Sequence, residues 1–210
     1  MENFLTELRT RVWRTSGARY NAARRLRLRD WFATFSIAMF SAIGIALAVV
    51  QKVYAFDANS PVDRYITVLS VAIGLFVIVI SLIEWGFSAA VKADVLHRNA
   101  EQLNRLQLEI AQALASESKH DSDAATIMRK RYEEIKDSCS FNHEPIDDAL
   151  FRSQNRLSPE FSDKAGKPSM CLFTAKWTQL MAFCSAAKVF VVFWVIIVTM
   201  LFVTPWPIGA

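Results

Sequence analysis

Three long apolar stretches stand out from an otherwise mixed sequence, at residues 32–50, 66–83 and 189–207. Each has the length that a helix needs to cross the hydrocarbon core of a bilayer, roughly 20 residues. Residues 51–65 separate the first two stretches, whereas residues 84–188 separate the second from the third. The pattern therefore predicts a transmembrane hairpin followed, after a long polar segment, by a third span.

The polar segment itself shows helical periodicity. Leu96, Leu103 and Ile110 recur every seven residues, with Asn99 where the heptad expects an apolar residue. Polar residues 116–122 predict a turn, and a second apolar face follows, formed by Ala125, Met128, Tyr132, Ile135 and Cys139. Two such helices are expected to pack as an antiparallel hairpin. Either they cover only each other, or spare apolar surface pairs with a neighbouring subunit.

The predicted fold is an all-α membrane protein with a two-helix transmembrane hairpin, a cytosolic helical hairpin and a third, C-terminal transmembrane helix. The second span is expected to continue as a helix beyond the bilayer. In chain order we expect an Arg-rich amphipathic lead-in helix at 1–31, the transmembrane hairpin at 32–86, a cytosolic helical region at 87–157, a linker at 158–172, and an interfacial helix with the third span at 173–210.

The start of the third span is ambiguous. A start at Leu180 would bury Lys188 within the bilayer, whereas a start near Ala187 leaves Lys188 at the cytosolic interface and Trp206 in the outer aromatic belt. We prefer the second interpretation, in which residues 173–184 lie along the interface as a separate helix. One long tilted helix is the alternative.

Charge orients the chain. Eight arginines precede the first apolar stretch, and basic flanks stay on the cytoplasmic side. We therefore expect a multi-pass protein of the plasma membrane with a cytoplasmic N-terminus and an external C-terminus. Anionic lipid headgroups are the expected partners of the four arginines nearest the first span, with a regulatory nucleic acid or nucleotide as the weaker alternative: Arg24, Arg25, Arg27 and Arg29.

Nothing in the sequence indicates an active site. The three cysteines lack CxxC spacing, the three histidines are scattered, and no cofactor, metal or catalytic motif is expected. Asn142, His143, Asp147 and Asp148 form a polar cluster, but without a nucleophile they suggest a structural role. We expect Asn142 to cap a helix that begins near Glu144, and His143 to pack back on the hairpin.

Small residues mark the spans as candidates for close helix packing, which matters in lipid because no hydrophobic force drives helices together. The positions are Ala38, Ala42 and Ala46 in the first span and Ser70, Gly74 and Ser81 in the second. They serve either packing within one subunit or an oligomer with a narrow, weakly polar lumen that uses the two serines. Glu84, beside the second span, is either an ordinary interfacial residue or part of an acidic ring that favours cations.

The order of several segments resembles the SLATT family, the SMODS and SLOG-associating two-transmembrane effector domains that accompany bacterial antiphage modules. Besides the two close spans, these segments are Arg19–Leu26, His97–Leu103, Tyr132–Ile135 and Asn142–Asp148. The resemblance covers residues 8–152, and the third span is an addition to the two-span pattern.

The resemblance implies an effector of the bacterial inner membrane that forms a homo-oligomer and permeabilises the membrane, giving abortive infection when a sensor or signal-producing partner encoded nearby detects a phage. Candidates for cytosolic interactions are Leu96, Leu103, Ile110, Tyr132, Asn142, His143 and Asp147. A non-conducting adaptor that recruits a soluble sensor or enzyme is the alternative. An enzyme is not expected, because the spans lack polar residues that would meet within the bilayer.

Overall fold

The computed structural model describes residues 2–54, 57, 60–115, 122–163 and 166–203, and within these ranges the chain is helical throughout its regular elements. Its α-helices are α1 (Glu2–Val53), α2 (Pro61–Phe87), α3 (Ala89–Ala115), α4 (Ser122–Asp137), α5 (Pro145–Gln154) and α6 (Leu172–Val203), with a 3-10 turn at Pro159–Phe161. The predicted all-α class is confirmed. Three helical segments, 3–53, 61–115 and 172–203, are long and apolar enough to cross a membrane.

The chain divides into two compact units, which we call the polar unit and the span unit. The polar unit contains the described residues of 1–27 and 90–186, and the span unit those of 28–89 and 187–210. Both α1 and α6 contribute residues to each unit. Most of the turn predicted at 116–122, and the predicted anchor Trp206, lie outside the described residues.

The span unit has its core where α1, α2 and α6 meet. Its buried side chains are Ala33, Phe40 and Leu47 from α1, Ile66, Leu69, Ile73 and Ile80 from α2, and Phe190 and Ile197 from α6. The α1 members recur every seven residues, which places them on one stripe of the helix. Trp194 of α6 donates its indole N–H to Ser36 Oγ at 3.0 Å, so this polar group has a partner among apolar neighbours.

Three helices, rather than the two expected, form the apolar core of the polar unit. Leu5, Leu8 and Val12 of α1 pack against the apolar faces of the next two helices, which contribute Leu103, Leu106 and Ile110 from α3 and Ala125 and Tyr132 from α4. Both alternatives considered for the hairpin are therefore incomplete, because the N-terminal part of α1 covers the apolar surface that α3 and α4 leave over.

The helix expected to continue beyond the second span is interrupted at one residue. Ser88, between α2 and α3, has φ 52° and ψ 51°, which is the left-handed conformation that favours glycine. Its backbone N–H still donates to the Glu84 carbonyl at 2.9 Å, and its hydroxyl donates to the Trp85 carbonyl at 2.9 Å. The prediction of one unbroken helix was wrong at this position.

The last helix, α6, runs without a break through the residues expected to form an interfacial helix and a separate span. This is the single long helix that the sequence left as the alternative. In its first half Phe173, Trp177 and Leu180 are exposed. Where the bilayer begins along α6 stays a prediction.

Candidate functional site

Within the polar unit, α5 lies directly against α1 because α1 has a glycine at the contact. A Cβ at Gly17 would overlap the Phe151 ring, whose centroid lies 4.9 Å from that of Trp13 in an edge-to-face contact. One turn further along α1, Asn21 donates to Gln154 Oε1 at 3.1 Å. The absence of a side chain at Gly17 therefore sets how closely the two helices approach.

The N-terminus of α5 is capped by Glu144 and not, as predicted, by Asn142. Pro145 is the first helical residue, which suits its fixed φ and missing N–H. Asp147 Oδ2 accepts a hydrogen bond from the Glu144 backbone N–H at 2.9 Å, as the third residue of a capping box does. Asn142 instead accepts a hydrogen bond from the His143 backbone N–H at 2.9 Å.

Two arginines of α1 bind the carboxylates of this segment. Arg25 donates from Nε and Nη2 to Asp147 at 2.8 and 3.0 Å and also lies 3.1 Å from Glu144 Oε1. Arg14 donates to both oxygens of Asp148 at 2.6 Å. We call these five residues the α1–α5 ion cluster. Asp147 is fully buried and each arginine is bidentate, which is the strong geometry for such pairs.

The ion cluster changes the expected role of the lead-in arginines. Arg25 is paired with Asp147, and Arg29 donates to Glu84 Oε1 at 2.7 Å, so neither is free for the lipid headgroups predicted for it. Arg24 and Arg27 are exposed and keep that prediction. The prediction fails for Arg25 and Arg29 because acidic residues remote in the sequence, Asp147 and Glu84, pair with them.

Glu84 is the carboxylate considered for an acidic ring, and its side chain is only 12% exposed. Arg29 neutralises it, and the Arg29 guanidinium lies 3.6 Å from the centroid of the Phe87 ring. At the other end of the α1–α2 pair, Gln51 donates to Asp63 Oδ1 at 2.6 Å. Glu84 therefore joins two helices of the span unit, and a ring of free carboxylates receives no support from its surroundings.

Electrostatics in the polar unit follow from these contacts. The hydrogen bond from Arg14 lowers the pKa of Asp148 below its usual value, since it stabilises the charged form. Burial lowers the pKa of His143, and the nearby Arg19 guanidinium lowers it further. His143 lies beside Arg14 and Thr15 of α1, and it lines a second cavity together with Tyr132 and Lys136 of α4.

Four predicted interaction residues belong to the core of the polar unit. Leu96, Leu103, Ile110 and Tyr132 are at most 5% exposed, so they do not form a docking face on the protomer. Their heptad spacing reflects burial under α1 and not contact with a second chain. This is a correction to the predicted role, and its cause is again the unexpected packing of the lead-in segment.

Asn99, the polar residue in the heptad, links three helices. Its side-chain amide donates to the Ile135 carbonyl of α4 at 2.6 Å, and its oxygen accepts a hydrogen bond from Arg19 of α1. A buried polar residue of this kind fixes the register of packed helices. Sequence reasoning missed the roles of Arg19, which lies on this inner side of α1, and of Arg14, which is partly exposed and faces α5.

The small residues of the first span do not pack inside the protomer. Ala38, Ala42 and Ala46 are exposed, on the side of α1 opposite Phe40 and Leu47. Packing within one subunit is one of the two alternatives for this stripe, and the exposure of all three alanines does not support it. The face is therefore open to lipid or to another helix.

The small residues of the second span are divided. Gly74 is exposed, and a Cβ there would meet nothing within 4 Å. Ser81 donates to the Val77 carbonyl at 2.7 Å, whereas Ser70 Oγ is buried without a hydrogen-bond partner in the described part of the chain. A buried Ser70 does not line a lumen in this protomer.

The sequence model of the SMODS and SLOG-associating 2TM effector domain family 5, SLATT family 5, matches residues 1–205. The chain belongs to this family. No curated protein and no solved structure matches it. The match extends well beyond the expected limit at residue 152 and includes α6, so the third apolar helix of this SLATT chain is part of the family domain and not an addition to it.

Membership in the SLATT family identifies the chain as an effector domain associated with SMODS and SLOG proteins, and such domains are membrane effectors rather than enzymes. The geometry adds two features to that statement. One is the α1–α5 ion cluster of the polar unit. The other is the exposed small-residue face of α1 in the span unit.

Proposed function

We propose that this SLATT chain is an effector of the bacterial inner membrane that oligomerises through its spans and permeabilises the membrane when a partner or signal activates it. The observation that supports this most directly is the exposed stripe of Ala38, Ala42 and Ala46. The apolar core of the span unit uses the opposite side of α1, so the stripe is available for contact between protomers.

Small residues matter here because lipid tails are as apolar as leucine. Helices associate in a bilayer through close packing, and alanine at four-residue spacing lets two backbones approach. A leucine in the stripe would hold a second helix away, whereas a leucine elsewhere on the lipid-facing surface would not. Ala48 offers that comparison, since it is also exposed and lies about 120° around the helix from Ala42.

The continuity of α1 supports a route from signal to span. Arg14 and Arg25, which bind α5, lie on the same uninterrupted helix as Ala42. A signal that separates α5 from α1 therefore acts on a helix that contains the first span. In the proposed topology the N-terminus is cytoplasmic, so the ion cluster meets signals made in the cytosol.

The test is membrane potential in bacteria that express the chain with its genomic neighbours and are challenged with phage. We expect the wild type and Ala48→Leu to depolarise the cells after challenge, and Ala42→Leu to leave the potential intact at equal membrane abundance. Equal depolarisation by Ala42→Leu would remove the stripe from the mechanism. Growth arrest with an intact potential in the wild type would reject permeabilisation.

A non-conducting adaptor is the second candidate, and one observation favours it. Leu108 of α3 and Ile127 of α4 are 58% and 65% exposed in the polar unit, where a partner protein would cover them. An adaptor predicts that Ile127→Lys abolishes growth arrest while Ala42→Leu has no effect. Leu103 and Tyr132 do not serve this test, because replacing these core residues would unfold the unit.

A further inference from the structure

Arg19 of α1 is a buried charge that the described residues leave without an ion-pair partner. It is 3% exposed, and its guanidinium donates to neutral acceptors, Asn99 Oδ1 and the Lys136 carbonyl, the latter at 3.2 Å. No carboxylate within the described ranges forms an ion pair with it, in contrast to Arg14 and Arg25. A buried charge is costly unless it is paired, so an arginine held in this way is prepared to bind an anion.

The guanidinium also lines a cavity of about 430 Å³, many times the ~30 Å³ that one water occupies. Hydrogen-bond donors surround this space, namely Thr15, Tyr132, Lys136, Asn142 and His143. Two buried nitrogens, Arg19 Nε and His143 Nδ1, have no hydrogen-bond partner among the described residues. One carboxylate, Asp137, also lies at the cavity, but its side chain is 74% exposed and 3.8 Å from Lys136.

We propose that this cavity binds a phosphate group, as inorganic phosphate or as a phosphate monoester, whose charge pairs with Arg19. A shift of the Arg19 and His143 side chains, whose Nε and Nδ1 atoms are buried, brings two donors to the anion. The exposed Asn142 amide supplies a third, whereas Lys136 is already paired with Glu133. A phosphate group offers three terminal oxygens to such a set, whereas a carboxylate offers two. The guanidinium fork also matches phosphate geometry.

The electrostatics agree with this assignment. Burial lowers the pKa of Arg19, and the same cause lowers the pKa of His143. A bound anion would oppose both effects, because it stabilises the charged form of each group. The proposal stands apart from the permeabilising function, since binding is measured whether or not the spans conduct.

The first experiment uses the purified full chain in detergent and follows thermal unfolding while phosphate is titrated, with potassium chloride at equal ionic strength as the reference. Because a ligand that binds only the folded state stabilises it, we expect a rise in Tm that depends on phosphate concentration and exceeds the chloride effect. Arg19→Met should lose this rise. Arg98→Gln, at an exposed arginine of α3 outside the cavity, should keep it.

A second pair of variants tests the site even if Arg19→Met fails to fold. Ser140 is exposed at the cavity, whereas Ser138 is exposed two residues away and does not line it. Ser140→Glu places a negative charge beside the site and should weaken phosphate binding about tenfold, while Ser138→Glu should bind as the wild type does. Equal binding by the two glutamate variants would overturn the proposal.

The phosphate group could belong to a lipid headgroup or to a soluble ion, and a second experiment distinguishes the two. The full chain is reconstituted in phosphatidylcholine vesicles with or without phosphatidic acid, whose headgroup is a phosphate monoester. A rise in Tm with phosphatidic acid that Arg19→Met abolishes identifies a lipid ligand, and a rise with free phosphate alone identifies a soluble one. Absence of an Arg19-dependent response in both arms would refute the site.

Discussion

At the scale of single residues, the contact between α1 and α5 depends on the hydrogen atom at Gly17. A methyl group there would overlap the Phe151 ring, which is held by Trp13 and by Phe161, 6.1 Å away between centroids. Gly17→Ala should therefore destabilise the chain by about 1–3 kcal/mol through overpacking, although alanine is the better helix former by about 1 kcal/mol. Unfolding in detergent followed by circular dichroism measures the change.

The matched control for Gly17→Ala is Gly86→Ala. Gly86 lies in α2 with nothing within 4 Å of a Cβ, so that variant should be as stable as the wild type or more so. If both alanine variants gain stability, the Phe151 ring does not lie against Gly17, and α5 is further from α1.

The pair formed by Arg14 and Asp148 predicts a pH dependence. The folded state lowers the pKa of Asp148 below 3.8, chiefly through the hydrogen bond from Arg14, so the pair stabilises the fold above that value and loses its effect as the pH falls below it. Arg14→Gln should cost about 1 kcal/mol at neutral pH, since the pair is partly exposed. The difference in unfolding free energy between variant and wild type should become smaller as the pH falls below 3.8.

Measuring unfolding free energies of both proteins from neutral to acidic pH tests this directly. Arg98→Gln, which removes an exposed pair with Asp94 on α3, is the control and should show a smaller difference at neutral pH. A difference between Arg14→Gln and wild type that stays constant with pH would show that the pair is absent in solution.

The sequence identified part of the ion cluster. Asp147 and Asp148 were candidates from their setting, and Arg14 and Arg25 lie eleven residues apart, about three helical turns, which is a readable sign of a shared face. Which arginine binds which aspartate could not be predicted from the sequence. The contacts join residues separated by 122 and 134 positions, and nothing local specifies which distant carboxylate an arginine binds.

At the scale of elements, the break between α2 and α3 depends on the left-handed backbone of Ser88. Left-handed backbone costs a non-glycine residue about 1 kcal/mol, so Ser88→Gly should stabilise the chain by up to that amount. Ser88→Ala keeps the strained Cβ and loses the hydroxyl bond to the Trp85 carbonyl, so it should destabilise. Thermal unfolding of the three proteins tests the order, and a glycine variant no more stable than the alanine variant would argue for one continuous helix.

Element prediction was right where hydropathy decides and incomplete where packing decides. The apolar stretches at 32–50, 66–83 and most of 189–207 lie in helices because a helix satisfies its own backbone in lipid. The arginines of the lead-in segment favour a helix at the membrane surface. Leu5, Leu8 and Val12 recur at helical spacing, and this apolar stripe indicates that the segment packs into a core.

At the scale of the whole molecule, the exposed alanine stripe predicts contact between protomers. In a chain whose native cysteines are replaced by serine, Ala42→Cys should form a disulfide-linked dimer when native membranes are oxidised. Ala48→Cys, exposed on another side of the same helix, should remain monomeric on a denaturing gel. Equal cross-linking at the two positions would indicate random collision, and none at either would place the contact elsewhere.

In the proposed function the assembled spans conduct ions, and the current through protein reconstituted in a planar bilayer measures this most directly. Each protein is purified from phage-challenged cells that also carry its genomic neighbours, so that wild type and variants have met the same activating signal. We predict stepwise currents for the wild type and Ala48→Leu and none for Ala42→Leu. A silent bilayer with wild-type protein that had arrested its host cells would contradict the account and favour the adaptor.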